Sequence, residues 1–196
     1  MYRTIGMIGV CVLLASPAQA NKLIKPEPQE KVAKGAYSAH PETTWNRLSE
    51  KEGKFQEIWT LDGDQLNRVI FFGGVPVGEP LLKERDKKND PLPKVGGNML
   101  LPDIPAFFER SYRSYYGTPT MRIGLQEPAS FAGMDGIHFE YLFVDVSDEV
   151  ERKGEAFAAM HDDKLYLVTF EAPSLYFFER DVDKYRSLVT SLRLRD

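Results

Sequence analysis

Lys164–Pro173, KLYLVTFEAP, is apolar on both parities: Tyr166, Val168 and Phe170 share one face of an extended strand, and Leu165 and Leu167 share the other. A strand apolar on both faces has to be covered from both sides. Upstream, VERKGEAFAAM reads as its hairpin partner. A turn at His161, Asp162 and Asp163 sets Met160 opposite Leu165 and Ala158 opposite Leu167. Gly154, Ala156 and Ala158 then form a shallow patch suited to close approach by a helix. Downstream, DVDKYRSLVTSL places Val182, Tyr185, Leu188, Val189 and Leu192 on one helical stripe, with Asp181 as candidate cap. The expected fold is α+β: an α/β/α sandwich with a mostly antiparallel sheet flanked by helices.

The remaining elements fit that plan. TMRIGLQEP and GIHFEYLFVDV read as strands separated by turn signals, and neighbouring strands at short intervals are expected to pair as antiparallel hairpins. A helix is predicted from Asp103 as N-cap, with Pro105 in its first turn and Gly117 closing it. Ile104, Phe107, Phe108, Tyr112 and Tyr115 form its inward stripe. KFQEIWTLDGDQLNRVIFF holds two β-rich runs around a tight turn at Asp62-Gly63, with Phe55, Trp59 and Leu61 on one buried face. Residues 73–98 carry five Gly, four Pro and the charged block Lys83–Asp90. They read as a long solvated loop whose middle Leu81 and Leu82 can pin.

The first 20 residues have one basic residue, Arg3, an apolar stretch from Ile5 to Leu14, and a small-x-small ending at Ala18-Gln19-Ala20. This is the layout of a cleaved secretory signal peptide with the cut after Ala20. The apolar stretch is shorter than the roughly 20 residues a spanning helix needs. Removal of the leader takes away Cys11, the only cysteine, and shifts the formal charge from −4 to −5. The expected product is a periplasmic or secreted protein, soluble rather than membrane-spanning. It has no disulfides, so burial must stabilise it. Mild acidity argues against a nucleic-acid partner. Residues 21–43, rich in Lys, Glu and Pro, read as a flexible tether, with order beginning near Trp45 and one domain over residues 44–196.

KGEAFAAMHDDKLYLVTFEAPSLYFFERDVDKYRSLVTSLRL, residues 153–194, resembles the closing hairpin and helix of PsbP-like domains, including the ending Ser191-Leu192-Arg193-Leu194. The rest of the chain matches by element order. WTLDGDQLNRVIFFGGVPVGEPLL is similar to small secreted proteobacterial proteins without an assigned function. The family includes an extrinsic photosystem II protein and a yeast Ran-binding factor. The resemblance implies an accessory or partner-binding role and transfers no catalytic residue.

Chemistry is sparse. His138 and Glu140 lie two apart on a strand and so share a face, but a metal site would need a further ligand, and Arg152 or Lys153 is the simpler partner for Glu140. His40 and His161 are expected in solvent. Without the leader there is no thiol, and there is no Gly-x-Ser-x-Gly elbow. Glu140, Glu155 and Glu171 are the carboxylates a hydrolase would draw on. Glu171 is expected at the sheet rim, paired with Arg152 or Lys153. GGVPVG and GMDG read as turns, and Arg110, Arg113 and Arg122 as the outward complement of a tyrosine core stripe.

The expected function is therefore non-enzymatic, with no cofactor and no metal. The protein would bind another envelope protein through Lys83, Glu84, Arg85, Asp86, Lys87 and Lys88. A small-ligand or metal carrier, with a pocket between sheet and helix lined by Tyr112, Tyr115 and His138, is the alternative. A hydrolase is third.

Overall fold

The computed structural model describes residues 21–195, so the leader and its cleavage site lie outside the described residues. Eleven strands and two helices follow in order: β1 Lys22–Ile24, β2 Gln29–Val32, β3 Tyr37–Ala39, β4 Trp45–Arg47, β5 Gln56–Thr60, β6 Arg68–Pro76, α1 Ile104–Tyr116, β7 Arg122–Phe131, β8 Met134–Val144, β9 Glu151–His161, β10 Lys164–Pro173, α2 Phe177–Ser191 and β11 Arg193–Leu194. Eight strands form one sheet in the order β1-β4-β5-β6-β10-β9-β8-β7, and β11-β3-β2 form a second. The pairings are antiparallel throughout.

The central strand, β10, is buried from Leu165 to Ala172. Leu165 and Leu167 enter the core under α1, while Tyr166, Val168 and Phe170 enter the core under α2. The β9–β10 turn has φ of 48° at Asp162 and 56° at Asp163, the double positive φ that a two-residue hairpin turn requires. Met160 pairs with Leu165 and Ala158 with Leu167, the register predicted above. On one side Phe108 of α1 meets Phe139 and Tyr141 edge-on. On the other, Tyr185 of α2 stacks on Phe170 and donates its hydroxyl to the Val168 carbonyl at 2.9 Å. Each such side chain contributes about 1.5–3 kcal/mol of burial before ordering costs.

Residues 21–43 are not a tether. Ile24, Val32, Ala33, Tyr37 and Ala39 are buried in the α2-side core, and the Tyr37 hydroxyl donates to the Phe72 carbonyl at 2.8 Å. The segment holds few apolar residues, but nearly every one is used, and β3 is closed on its other side by β11. Glu57, buried beneath it, accepts from the Ala33 amide at 3.1 Å and the Trp59 indole at 2.8 Å.

Three local expectations also change. The β5–β6 connection is not a tight Asp62-Gly63 turn but spans residues 61–67, gathered on the buried Asn67. Its Oδ1 accepts from the Leu61 amide at 2.7 Å and the Thr60 hydroxyl at 3.0 Å. Phe55 packs with the α1-side core, whereas Trp59 and Leu61 pack on the α2 side. Asp103 takes the N-cap position of α1 but makes no capping hydrogen bond, and Asp181 is not a cap. The Asp103 carboxylate turns back to accept from the Leu100 amide at 3.0 Å, and Asp181 lies inside α2, which begins at Phe177. Gly117 ends α1 with φ 64°, as predicted.

The long connection is a folded excursion. β6 runs on to Pro76, and Leu81, Leu82, Leu92 and Val95 are buried in the α1-side core. Isolated bridges join Pro80 to Lys94 and Asp86 to Asp90, leaving a charged tip in solvent.

Candidate functional site

Glu171 is not at the rim. It is 1% exposed and occupies the middle of a polar row running straight across the sheet. In register, Glu171 of β10 lies between Arg68 of β6 and Gly154 of β9, and Gly154 in turn faces Tyr141 of β8. With no side chain at Gly154, the Tyr141 ring can lie across β9; a Cβ there would be 2.1 Å from the ring. The Tyr141 hydroxyl donates to Glu171 Oε1 at 2.7 Å, and Arg68 Nε donates to Oε2 at 2.8 Å. The row continues upward into α1. Arg68 Nη2 donates to the Tyr116 hydroxyl at 3.1 Å, which donates to Glu52 at 2.5 Å. Burial pushes the Tyr141 hydroxyl well above its ordinary pKa, and Glu171 adds to that shift. Burial alone would lower the Arg68 guanidinium, but Tyr116, Glu171 and Glu52 reverse this and raise it. The charged groups of the row are spent on one another; a void of about 20 Å³ adjoins Glu171, and a cavity of about 330 Å³ opens on the outer side of the row at Arg68 and Glu52. The arrangement fastens α1 and the Glu52 loop to the sheet.

A second polar cluster lies under α2. His138 stacks on Phe157 with ring centroids 4.6 Å apart. Its Nδ1 is 2.9 Å from Glu127 of β7, and its Nε2 is 3.4 Å from Glu155 of β9, an ion-pair distance longer than a good hydrogen bond. Arg186 of α2 closes on Glu155 with Nη2 at 2.7 Å and Nε at 3.1 Å. Glu155 raises the His138 pKa most, burial opposes it, and Glu127 adds to the rise. Burial would raise Glu155, but His138 and Arg186 outweigh it and hold the carboxyl below its ordinary range. Above this cluster, between β7 and α2, runs an open groove of about 880 Å³ walled by Leu125, Phe157 and Val189.

The predicted site residues separate accordingly. Tyr112 and Tyr115 pack under α1, while His138 faces α2, so the three do not line one pocket. Alternation explains it: Phe139, Tyr141 and Phe143 of β8 join the tyrosines, and His138 and Glu140 point the other way. Glu140 meets Lys153 at 3.5 Å, as expected, whereas Arg152 turns to Asp148 at 2.6 Å and the Gln65 carbonyl at 2.8 Å. Glu140, Glu155 and Glu171 are divided between the two faces. His40 and His161 are exposed. In the charged tip, Lys83, Arg85, Asp86, Lys87 and Lys88 are exposed and Glu84 is half-buried. The Glu84 carboxylate accepts from the Leu92 amide at 3.3 Å, and the Arg85 guanidinium lies 4.5 Å over the Tyr115 ring. Among the described residues, no group of three or more His, Cys, Asp or Glu is arranged to hold a metal, and no helix is long and apolar enough to cross a membrane.

Sequence reading missed Arg68, Tyr116, Glu52 and Asn67. Arg68 finds Glu171 103 positions on, Tyr116 reaches Arg68 across 48 and Glu52 across 64, and Asn67 reaches Asp181 across 114, so no local pattern marks the set.

No protein-family model matches the chain, and no curated protein matches it. Solved structures do. Cyanobacterial PsbP (CyanoP) from Synechocystis aligns over 97% of this chain and 100% of its own, at 14% identity and a TM-score of 0.56. The Saccharomyces cerevisiae Ran-binding protein Mog1p aligns over 90% and 96%, at 11% identity and a TM-score of 0.52. A Bacteroides thetaiotaomicron protein aligns over 88% of this chain at 8% identity and a TM-score of 0.50, and the chain spans half of that protein's length. At these identities the likeness concerns architecture: the chain has a PsbP-like fold.

Proposed function

We propose that this protein is an exported, non-enzymatic accessory module that binds another envelope protein, with the Lys83–Asp90 tip as its contact. The observation that carries this reading is how the tip is mounted. Four buried apolar residues, Leu81, Leu82, Leu92 and Val95, anchor its two arms, while seven of the eight residues between Lys83 and Asp90 stay exposed. The Arg85 stack on Tyr115 further limits its motion. A charged surface held this way loses little freedom on association. The PsbP-like fold, shared with the Ran-binding protein Mog1p, agrees with action through a protein partner.

The test replaces Lys83–Asp90 by Gly-Gly and repeats an affinity pull-down from envelope extract. The thermal midpoint should hold within a few degrees, because the four anchors remain, and one or more partners should disappear. An unchanged partner set would remove the tip from the proposal. The groove between β7 and α2 supports a carrier as the second reading, with His138 and Glu127 on its floor. Native mass spectrometry of protein taken from its own compartment should then show a bound small mass. A bare chain would eliminate that reading.

A further inference from the structure

The β10–α2 connection has a geometry that packing alone does not account for. Tyr176 sits at φ 72°, ψ −56°, and the Phe177 amide donates to the Leu175 carbonyl at 2.9 Å. This is a γ-turn with positive φ at its centre, the rare and strained form, built on a bulky aromatic where Gly would be at ease. Such strain persists only where neighbours over-determine it. Here Arg180 lies 4.8 Å over the Phe177 ring and 5.6 Å over Tyr176, and its guanidinium is itself held by Asp62 and Asp181. The outcome is a stiff projection with Leu175 85% and Tyr176 68% exposed. The β8–β9 connection adjoins it: the Ser174 amide donates to the Glu151 carbonyl at 2.9 Å and the Ser174 hydroxyl to Glu151 Oε1 at 3.0 Å. That loop exposes Val146.

The cations beside the finger are each paired, Arg180 with Asp62 and Asp181, so the charge left over is negative. Asp148 is taken by Arg152 and Glu179 faces Lys153 at 3.5 Å. Glu149 and Glu151 are exposed, with no cation within salt-bridge distance among the described residues. An apolar centre with a charged rim is the build of a protein–protein contact, and rigid aromatic anchors dominate such contacts.

We propose that Leu175 and Tyr176 form an apolar finger that inserts into a pocket on a protein partner whose rim carries Lys and Arg. The inference rests on the binding-module reading above and adds to it the site and the chemistry of the partner surface. The finger and the charged tip lie toward the same end of the sheet. Arg85 stacks on Tyr115, its neighbour Tyr116 bonds Arg68, and Arg68 pairs with Glu171 just before β10 gives way to the finger.

Photo-crosslinking tests it in cells producing the full chain, with p-benzoylphenylalanine in place of Leu175 and, as control, in place of Lys164 at the opposite end of β10. The expected result is a discrete protein adduct at 175 and none at 164, mapped to a partner peptide next to Lys or Arg. With the partner purified, Leu175→Asp and Tyr176→Gly should each weaken binding at least tenfold. Glu149→Lys with Glu151→Lys should weaken it and flatten its salt dependence. Tyr176→Gly is the decisive variant, because Gly accepts φ 72° without strain: its thermal midpoint should hold or rise while binding falls. Binding that survives both finger variants but is lost with the Lys83–Asp90 replacement overturns the finger and leaves the module reading standing. An acidic partner surface, or adducts only to lipid, also overturns it. No adduct from 175 and no loss of partners on replacing the tip overturn both.

Discussion

Glu171 shows how far one carboxylate can reach when its neighbours cooperate. Its charge is met by Arg68 at 2.8 Å and its second oxygen by Tyr141 at 2.7 Å, in a setting where one lost partner strands the other. Glu171→Ala is expected to destabilise the protein by about 3–5 kcal/mol in urea denaturation, whereas an apolar replacement of both, Arg68→Met with Glu171→Leu, should cost far less than the single change. Equal losses in the two variants would mean that the pair is not a unit. Gly154 supports the same row from below. Gly154→Ala should cost about 1–3 kcal/mol, since the Tyr141 ring has to move off β9 and release Glu171; a neutral result would show that the ring has another place to go. His138 gives the pH dependence. Glu155 and Glu127 raise its pKa above the ordinary value of about 6.5, so its stabilising contribution is complete below that value and fades as pH rises through the folded-state pKa. The stability difference between the natural protein and His138→Gln, followed from pH 5 to 9, should therefore shrink toward alkaline pH. A difference that grows would reverse the assignment.

At the scale of elements, what could be read from the chain and what could not divide along physical lines. β10, its hairpin register and both helical stripes were legible, because each is written in the spacing of large apolar residues over a dozen positions or fewer. β2 and β3 were not, because averaging over a Lys- and Glu-rich stretch hides five well-placed apolar side chains. The start of α2 was missed for a different reason. Its first turn opens from a strained Tyr176 rather than from a capping residue, so Asp181 looked like a beginning and is instead a buried tie to Asn67 at 3.1 Å, Lys184 at 2.8 Å and Arg180. The Arg68–Glu171 row was illegible for a third reason: register between β6 and β10 is a tertiary fact, and the Gly154-Ala156-Ala158 patch expected to seat a helix instead has the Tyr141 ring over Gly154. If residues 21–43 are structural, Tyr37→Ala should cost about 3–5 kcal/mol. A tether would tolerate it, and the thermal midpoint decides between the two.

For the whole molecule, the sheet divides the protein into a clamped side and an open side. Under α1, aromatic rings and the Arg68 row fill the centre, and a cavity of about 330 Å³ remains beyond Arg68, against Leu48 and Ile58. Under α2, the helix covers the centre of the sheet and leaves a groove toward β7. Sandwich architecture followed from the two-sided apolarity of β10, but the separation of Tyr112 from His138 onto opposite sides of the sheet needed the alternation of β8 to be taken at its word. Both proposed contacts, the charged tip and the apolar finger, belong to neither core, which is why the same framework can carry different surfaces in proteins only 8–14% identical to this one.

The pairing of β3 with β11 has a temporal side. Tyr37 and Ser38 are made long before the strand that completes them, since Arg193 lies 155 positions after its partner Ser38. Until Arg193–Leu194 has emerged, β3 has only β2 beside it and stays available to a holding factor. Arg193 and Leu194 then act as a latch, and proteolytic resistance should arrive abruptly as they appear rather than build gradually with length.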